Sequence, residues 1–140
     1  MTQRERIMQY IQDRYGTEPE HLWKKYPGYT VFRHPASRKW FALVADIPRK
    51  RLELEGDGLV DMMDVKCGPI MVGSLLAQEG YCPAYHMSKS SWIAIVLDGT
   101  VPDEDIYPLL ELSYDSVAPK VKKQGIVMQN GRFGIEEKSR

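Results

Sequence analysis

The sequence predicts a single α+β domain, and three observations carry that expectation. Apolar residues recur at spacings of three and four near the N-terminus and again after Pro102, as amphipathic helices require. The middle of the chain instead holds short apolar runs bounded by Pro, Gly and Asp, which read as strands. A length of 140 residues suits one domain with a short tail.

Taken in order, Arg4, Ile7, Met8, Ile11 and Tyr15 fall on one stripe of a first helix, and Gly16 supplies its stop. Residues 17–28 read as a loop around the fragment His21-Leu22-Trp23. Thr30 to His34 is short and extended. Lys39 to Asp46 is a stronger strand that Pro48 ends, and Arg49-Lys50-Arg51 forms an exposed basic turn beyond it. Leu59 to Cys67 reads as a further strand. Pro69 suits the first turn of a helix over Ile70 to Glu79, closed by Gly80. Ala84 to Met87 reads as extended and Trp92 to Asp98 as the best strand of the chain. Ile106, Leu109, Leu110, Ser113, Tyr114 and Val117 keep the helical period in a last helix. Asp103, Glu104 and Asp105 stand at its start, where the helix dipole favours negative charge. Pro108 removes one backbone hydrogen bond, so this helix either starts regularly near Asp105 or kinks. The domain spans 1–119. Residues 120–140 form a C-terminal appendage, either a short hairpin about Asn130-Gly131 or a mobile tail.

The chain also carries an internal repeat. His34 and His86 each start the pattern H-x5-W-x-A-x-V-x-D, at a constant offset of 52 residues. Each copy reads as a β-hairpin with a basic tip, followed by a strand that opens on Trp40 or Trp92. Two-residue alternation predicts that Trp40, Ala42 and Val44 share a sheet face with Trp92, Ala94 and Val96.

Nineteen basic residues balance nineteen acidic ones, which excludes a protein held to nucleic acid by bulk charge. The balance hides an asymmetry. Arg33, Arg38, Lys39, Arg49, Lys50 and Arg51 face only Asp46 within residues 33–51, whereas residues 98–115 hold six acidic residues and no basic one. No apolar run approaches the ~20 residues of a membrane helix, so no membrane partner is expected. No signal-peptide core follows the first residues, and two Cys with three His fit a reducing cytoplasm.

The ordered fragments Pro27-Gly-Tyr29, Phe32-Arg-His34, Lys39-Trp-Phe-Ala42, Val65-Lys-Cys67, Tyr85-His-Met-Ser-Lys89, Trp92, Leu97-Asp-Gly99, Pro102 and Ser113-Tyr114 resemble the MmcQ/YjbR family over residues 18–118. The resemblance implies a CyaY-like α+β fold, an antiparallel β-sheet with helices packed on one face. It also implies the family's description as a DNA-binding module with a double wing, which agrees with the repeat. On that reading Arg33, His34, Arg38, Lys39, Trp40, His86, Lys89 and Trp92 are the nucleic-acid-binding residues. Basic tips would contact phosphates and tryptophans would stack on bases. The alternative is a protein-interaction or regulatory module that uses the Trp-bearing sheet face.

Other chemistry finds little support. Cys67 and Cys82 are separated by a predicted helix, far from the close pairs of a zinc site. Frataxins share the CyaY-like fold and carry an acidic ridge on the first helix. Here Glu5 and Asp13 are offset by Arg4, Arg6 and Arg14, so no metal and no cofactor is expected. Neither a nucleophile elbow nor a phosphate loop occurs, and no enzymatic activity is expected.

Overall fold

The computed structural model describes residues 1–120 and the backbone of 127–128 and 135–136. Its first helix, α1 (Gln3–Tyr15), begins at a Thr2 capping box with Glu5 and ends where Gly16 takes a left-handed conformation, φ 63°. Four strands follow with two short excursions: β1 (Thr30–Arg33), β2 (Trp40–Pro48), a 3-10 turn at Arg49–Leu52, β3 (Leu59–Lys66), α2 (Pro69–Leu75) and β4 (Tyr81–Pro83). β5 (Trp92–Val96) and α3 (Asp103–Ser116) complete the domain. All sheet pairings are antiparallel, in the order β1-β2-β3-β5-β4. β6 (Val127–Met128) and β7 (Ile135–Glu136) pair antiparallel with each other, and the expected Asn130-Gly131 turn lies outside the described residues.

The three helices cover one face. Ile7 and Ile11 of α1, Val72 and Leu75 of α2, and Ile106, Leu109 and Leu110 of α3 are buried against Ala42, Val44, Met63, Val65, Ile93 and Ile95 of the sheet. Pro108 neither delays nor ends α3. The carbonyl it leaves unserved is that of Glu104, on the exposed side of the helix, where water can replace the lost bond. α2 is shorter than its pattern suggests, and Leu76 to Gly80 turns directly into β4.

Arg4 fastens the base of this layer. Asp46 and Asp61 stand opposite each other on β2 and β3, a like-charge pairing that costs stability by itself. Arg4 lies against both, 3.0 Å from Asp61 and 3.8 Å from Asp46, and also bonds the Gly28 carbonyl. Gly28 must lack a Cβ, because one would collide with the Asp46 carboxylate.

A one-residue bulge decides the geometry of the first hairpin. Phe32 pairs with Ala42 but Arg33 pairs with Trp40, so Phe41 is the extra residue. Phe41 turns into the helix-side core against Tyr15 and Tyr114, and Trp40 swings to the helix-free side. Ser113 of α3 secures the bulge: its buried hydroxyl donates to the Phe41 carbonyl at 2.7 Å and accepts from the Lys66 amide at 2.9 Å.

The predicted parity of the repeat is not kept. β3 lies between β2 and β5, and the ladder Leu43–Asp64–Ala94 places Ala94 over Leu43 rather than over Ala42. Ala42 and Val44 therefore face the helices, while Ala94 and Val96 face away. The tryptophans do fall on one side, Trp92 by alternation with Ala94 and Trp40 only because of the bulge. The segment Ala84–Met87, expected to be extended, is a loop in which His86 takes φ 63°.

Ser113→Ala removes the side-chain partner that the Phe41 carbonyl and the Lys66 amide share at the bulge, the only one among the described residues. Each buried group left unpaired costs about 1–3 kcal/mol, so urea unfolding should show a loss of at least that size. The exposed neighbour substitution Asp115→Ala should change stability by less than about 0.5 kcal/mol.

Candidate functional site

The helix-free face of the sheet is as apolar as the covered one. Val31, Leu43, Ala45, Ile47, Met62, Ala94 and Val96 are buried there without a helix above them. Three loops shield it instead. From one edge comes the segment before β1, bringing Trp23, Tyr26 and Tyr29. From the end of β2 the 3-10 turn folds back and buries Leu52. From β4 the loop with Tyr85, His86 and Met87 returns across the sheet, where the Tyr85 amide donates to Asp64 Oδ1 at 3.1 Å. The Tyr85 and Tyr29 hydroxyls meet at 3.0 Å and join two of the loops.

Between these loops lies a cleft of about 520 Å³. Its aromatic walls hold one another edge to face or stacked: Trp23 against Trp40 at 5.8 Å, Trp23 against Tyr29 at 5.8 Å, and Tyr26 on Tyr29 at 4.9 Å. His86 lies over Tyr85 with ring centres 4.0 Å apart. Leu43, Pro48 and Arg51 complete the lining. A second hollow of about 240 Å³ adjoins it, sharing Arg51, Tyr85 and His86 and adding Lys89 and Glu53.

Asp64 underlies this arrangement. It is fully buried on β3, one oxygen taken by the Tyr85 amide and the other, Oδ2, without a partner among the described residues. Burial pushes its carboxyl up to about 8, against the lowering effects of the Tyr85 amide and of Lys89. The group is thus mostly protonated at neutral pH.

The residues expected to bind nucleic acid are only partly brought together. Trp40, His86 and Lys89 line the cleft or its neighbour. Lys39 is exposed at the first tip. Arg33 and Arg38 are at that tip too, but both pair with Glu20, at 3.1 and 3.5 Å. His34 is buried on the helix side: its Nδ1 accepts from the Ala36 amide at 3.0 Å, and its ring lies 4.3 Å from that of Tyr114. It shapes the turn and has no equivalence to the exposed His86. Trp92 is buried, so its ring offers no stacking surface. The hairpins β1–β2 and β4–β5 form at opposite edges of the sheet, but the loop of the second folds over the sheet rather than projecting as a wing. Arg51, expected in an exposed turn beyond the end of the first hairpin's second strand, lines the same hollow as Lys89 because the 3-10 turn doubles back.

Sequence reasoning missed Trp23, Tyr26, Tyr29, Tyr85, Arg51 and Asp64. The signals were a concentration of aromatics in a segment without periodicity, and a lone acid within the apolar run Met62-Met63-Asp64-Val65. Cys67 and Cys82 are both buried, on opposite sides of the sheet, and burial pushes both thiols up. No group of three or more metal-ligating side chains occurs among the described residues.

The family model for YjbR matches residues 12–116, which include every strand of the sheet and the whole cleft. The chain belongs to the YjbR family. It is 40% identical over 114 residues to the uncharacterized protein YyaQ of Bacillus subtilis, covering 81% of this chain and 97% of that one. The uncharacterized YjbR of Escherichia coli matches over 48 residues at 35% identity, 32% of this chain and 41% of that one. A crystal structure of a Pseudomonas syringae protein superposes with TM-score 0.80 at 42% identity, covering 82% of this chain and 98% of that one. A Deinococcus radiodurans protein with a DUF419 domain shares the fold alone, with TM-score 0.58 at 23% identity over 79% of this chain and 77% of that one. The YjbR fold is therefore the antiparallel sheet with helices on one face described above. No helix among the described residues is long and apolar enough to cross a membrane.

Between about pH 4, where an unfolded aspartate titrates, and about pH 8, the folded protein holds a proton on Asp64 that the unfolded chain has released. Folding stability from this group therefore falls as pH rises through that window. Asp64→Asn, which mimics the protonated acid, should remove this component. The urea midpoint of the wild type, measured against that of the variant, should decline from about pH 5 to about pH 8.

Proposed function

We propose that this YjbR-family protein is a non-catalytic DNA-binding module that takes single-stranded DNA on its helix-free face. The observation that carries this reading is the cleft walled by Trp23, Tyr26, Tyr29, Trp40 and Tyr85, with cationic side chains at its edge. Every base has a π-face, and stacking on an aromatic side chain contributes about 1–3 kcal/mol per base. Tyr26 is half exposed at the mouth, and the adjacent Lys24 and Lys25 are exposed, where a phosphate backbone would pass. A concave site between loops accepts unstacked bases and not the cylinder of a duplex. The absence of catalysis in this reading is supported by His34, whose Nδ1 serves the turn, and by two buried thiols with raised pKa, which are poor nucleophiles.

The test is fluorescence anisotropy with labelled single-stranded oligo-dT and a duplex of equal length, each at two salt concentrations. Single strands should bind more tightly than duplex, and affinity should fall with salt. Trp23→Leu combined with Tyr26→Ala should weaken single-strand binding about tenfold or more. Arg38→Glu should have a smaller effect, because that guanidinium already faces Glu20. Absence of binding at low salt, or binding that the aromatic variant leaves unchanged, would overturn the reading in favour of a protein partner for the same face.

A further inference from the structure

We propose that the hollow beside the aromatic cleft is a phosphate seat, so that the site takes an aromatic base joined to one terminal phosphate. The inference rests on the reading of the cleft as a base-stacking surface and specifies the chemistry of its ligand.

The two spaces are one site with two chemistries. They share Arg51, Tyr85 and His86, so a ring against the aromatic walls has its substituent directed toward Arg51 and Lys89. Ion pairing leaves these two cations uncommitted, as it does Arg49 and the other lysines among the described residues. Arg4, Arg6, Arg14, Arg33 and Arg38 each stand within 4 Å of a carboxylate. Among the described residues, Arg51 and Lys89 form no ion pair, although both line one hollow of about 240 Å³. Two unpaired cations converging on one concavity repel each other and favour an anion between them. A guanidinium fork with an ammonium is a common way to hold phosphate oxygens.

The framework behind the cations is fixed. Leu52, next to Arg51, is buried in the sheet-face core. The loop carrying Lys89 is tied down on both sides, by the Tyr85 amide to Asp64 and by the Trp92 amide to the Ser88 carbonyl at 2.9 Å. His86 adds an imidazole at the junction, held in a left-handed conformation that turns the loop back over the sheet. Glu53 is the opposing carboxylate of the hollow. One negative charge against two permanent positive ones leaves the hollow cationic, and Glu53 should limit affinity for a dianion. Leu52, Pro83 and Ala84 complete the lining of the hollow, whose volume of about 240 Å³ has room for a single phosphate group.

Two sources present this chemistry, a free nucleoside monophosphate and the phosphorylated end of a strand. The experiment titrates the full chain with thymidine, dTMP, 5′-hydroxyl oligo-dT and 5′-phosphoryl oligo-dT, read by intrinsic tryptophan fluorescence and calorimetry. Either dTMP should bind at least tenfold more tightly than thymidine, or the 5′-phosphoryl strand at least tenfold more tightly than the 5′-hydroxyl strand; which pair separates identifies the source. Arg51→Met with Lys89→Met should abolish that difference, the phosphorylated member of the pair losing at least tenfold more affinity than the unphosphorylated one. Both residues are exposed, so an unchanged urea midpoint should confirm the fold. Glu53→Gln should tighten binding of the phosphorylated ligand. If 5′-hydroxyl oligo-dT binds but neither phosphorylated ligand gains, the phosphate seat is wrong and the base-stacking reading stands. If none of the four ligands binds, both fall together.

Discussion

The two hydrogen bonds of Ser113 are the contact on which the site depends. At Phe41 the chain of β2 leaves its regular ladder, and the buried Phe41 carbonyl and the part-buried Lys66 amide of β3 both find their partner in Ser113. One hydroxyl from α3 satisfies both, so the helix layer stabilises an irregularity in the sheet. The consequence appears on the opposite face. With Phe41 committed to the helix-side core, Trp40 must point away from it, and Trp40 is the wall against which Trp23 is set. A regular β2 would place Trp40 under the helices and leave the cleft without that wall.

The second constraint is the lack of helices on that face. An apolar sheet surface cannot be left open to water, and here loops rather than helices close it. Loops carry polar backbone groups that need partners. The Tyr85 amide finds one in Asp64, and the Tyr29–Tyr85 hydroxyl pair joins the loops over the sheet. Asp64 thus occupies a position that an apolar residue would fill more cheaply, and it holds the returning loop in place. Its second oxygen has no partner among the described residues, and its proton affinity is raised.

Charge follows the same logic. The basic run from Arg33 to Arg51 looks uniform along the chain, yet its members have different fates. Glu20 bridges to Val31 beside β1 and pairs with both Arg33 and Arg38, offsetting one of their two charges. Arg51 is carried back over the sheet toward Lys89, which comes from a segment almost forty residues later. Cationic side chains thus stand both at the tip of the first hairpin, where Lys39 is exposed, and beside the aromatic cleft, where Arg51 meets Lys89.

The amino-acid sequence by itself determined the family, the α+β class, and most helices and strands, because apolar periodicity and the Gly and Pro stops act within a few residues. The repeated histidine and tryptophan also marked the first hairpin and the second strand of the other, whose first strand lies at Tyr81–Pro83 and not at the expected Ala84–Met87. Only the tertiary structure decided which side chains share a face. Parity counted along one strand fails at a bulge, and nothing local to Phe41 announces the serine on α3 that stabilises it. The match between the copies likewise suggested a structural repeat, whereas pairing both strands to β3 offset them by one residue and put their alanines on opposite sides. The cleft was illegible for the same reason. Trp23, Tyr29, Arg51 and Tyr85 lie in segments without periodicity, and they meet only because the exposed apolar face of the sheet draws three loops over it.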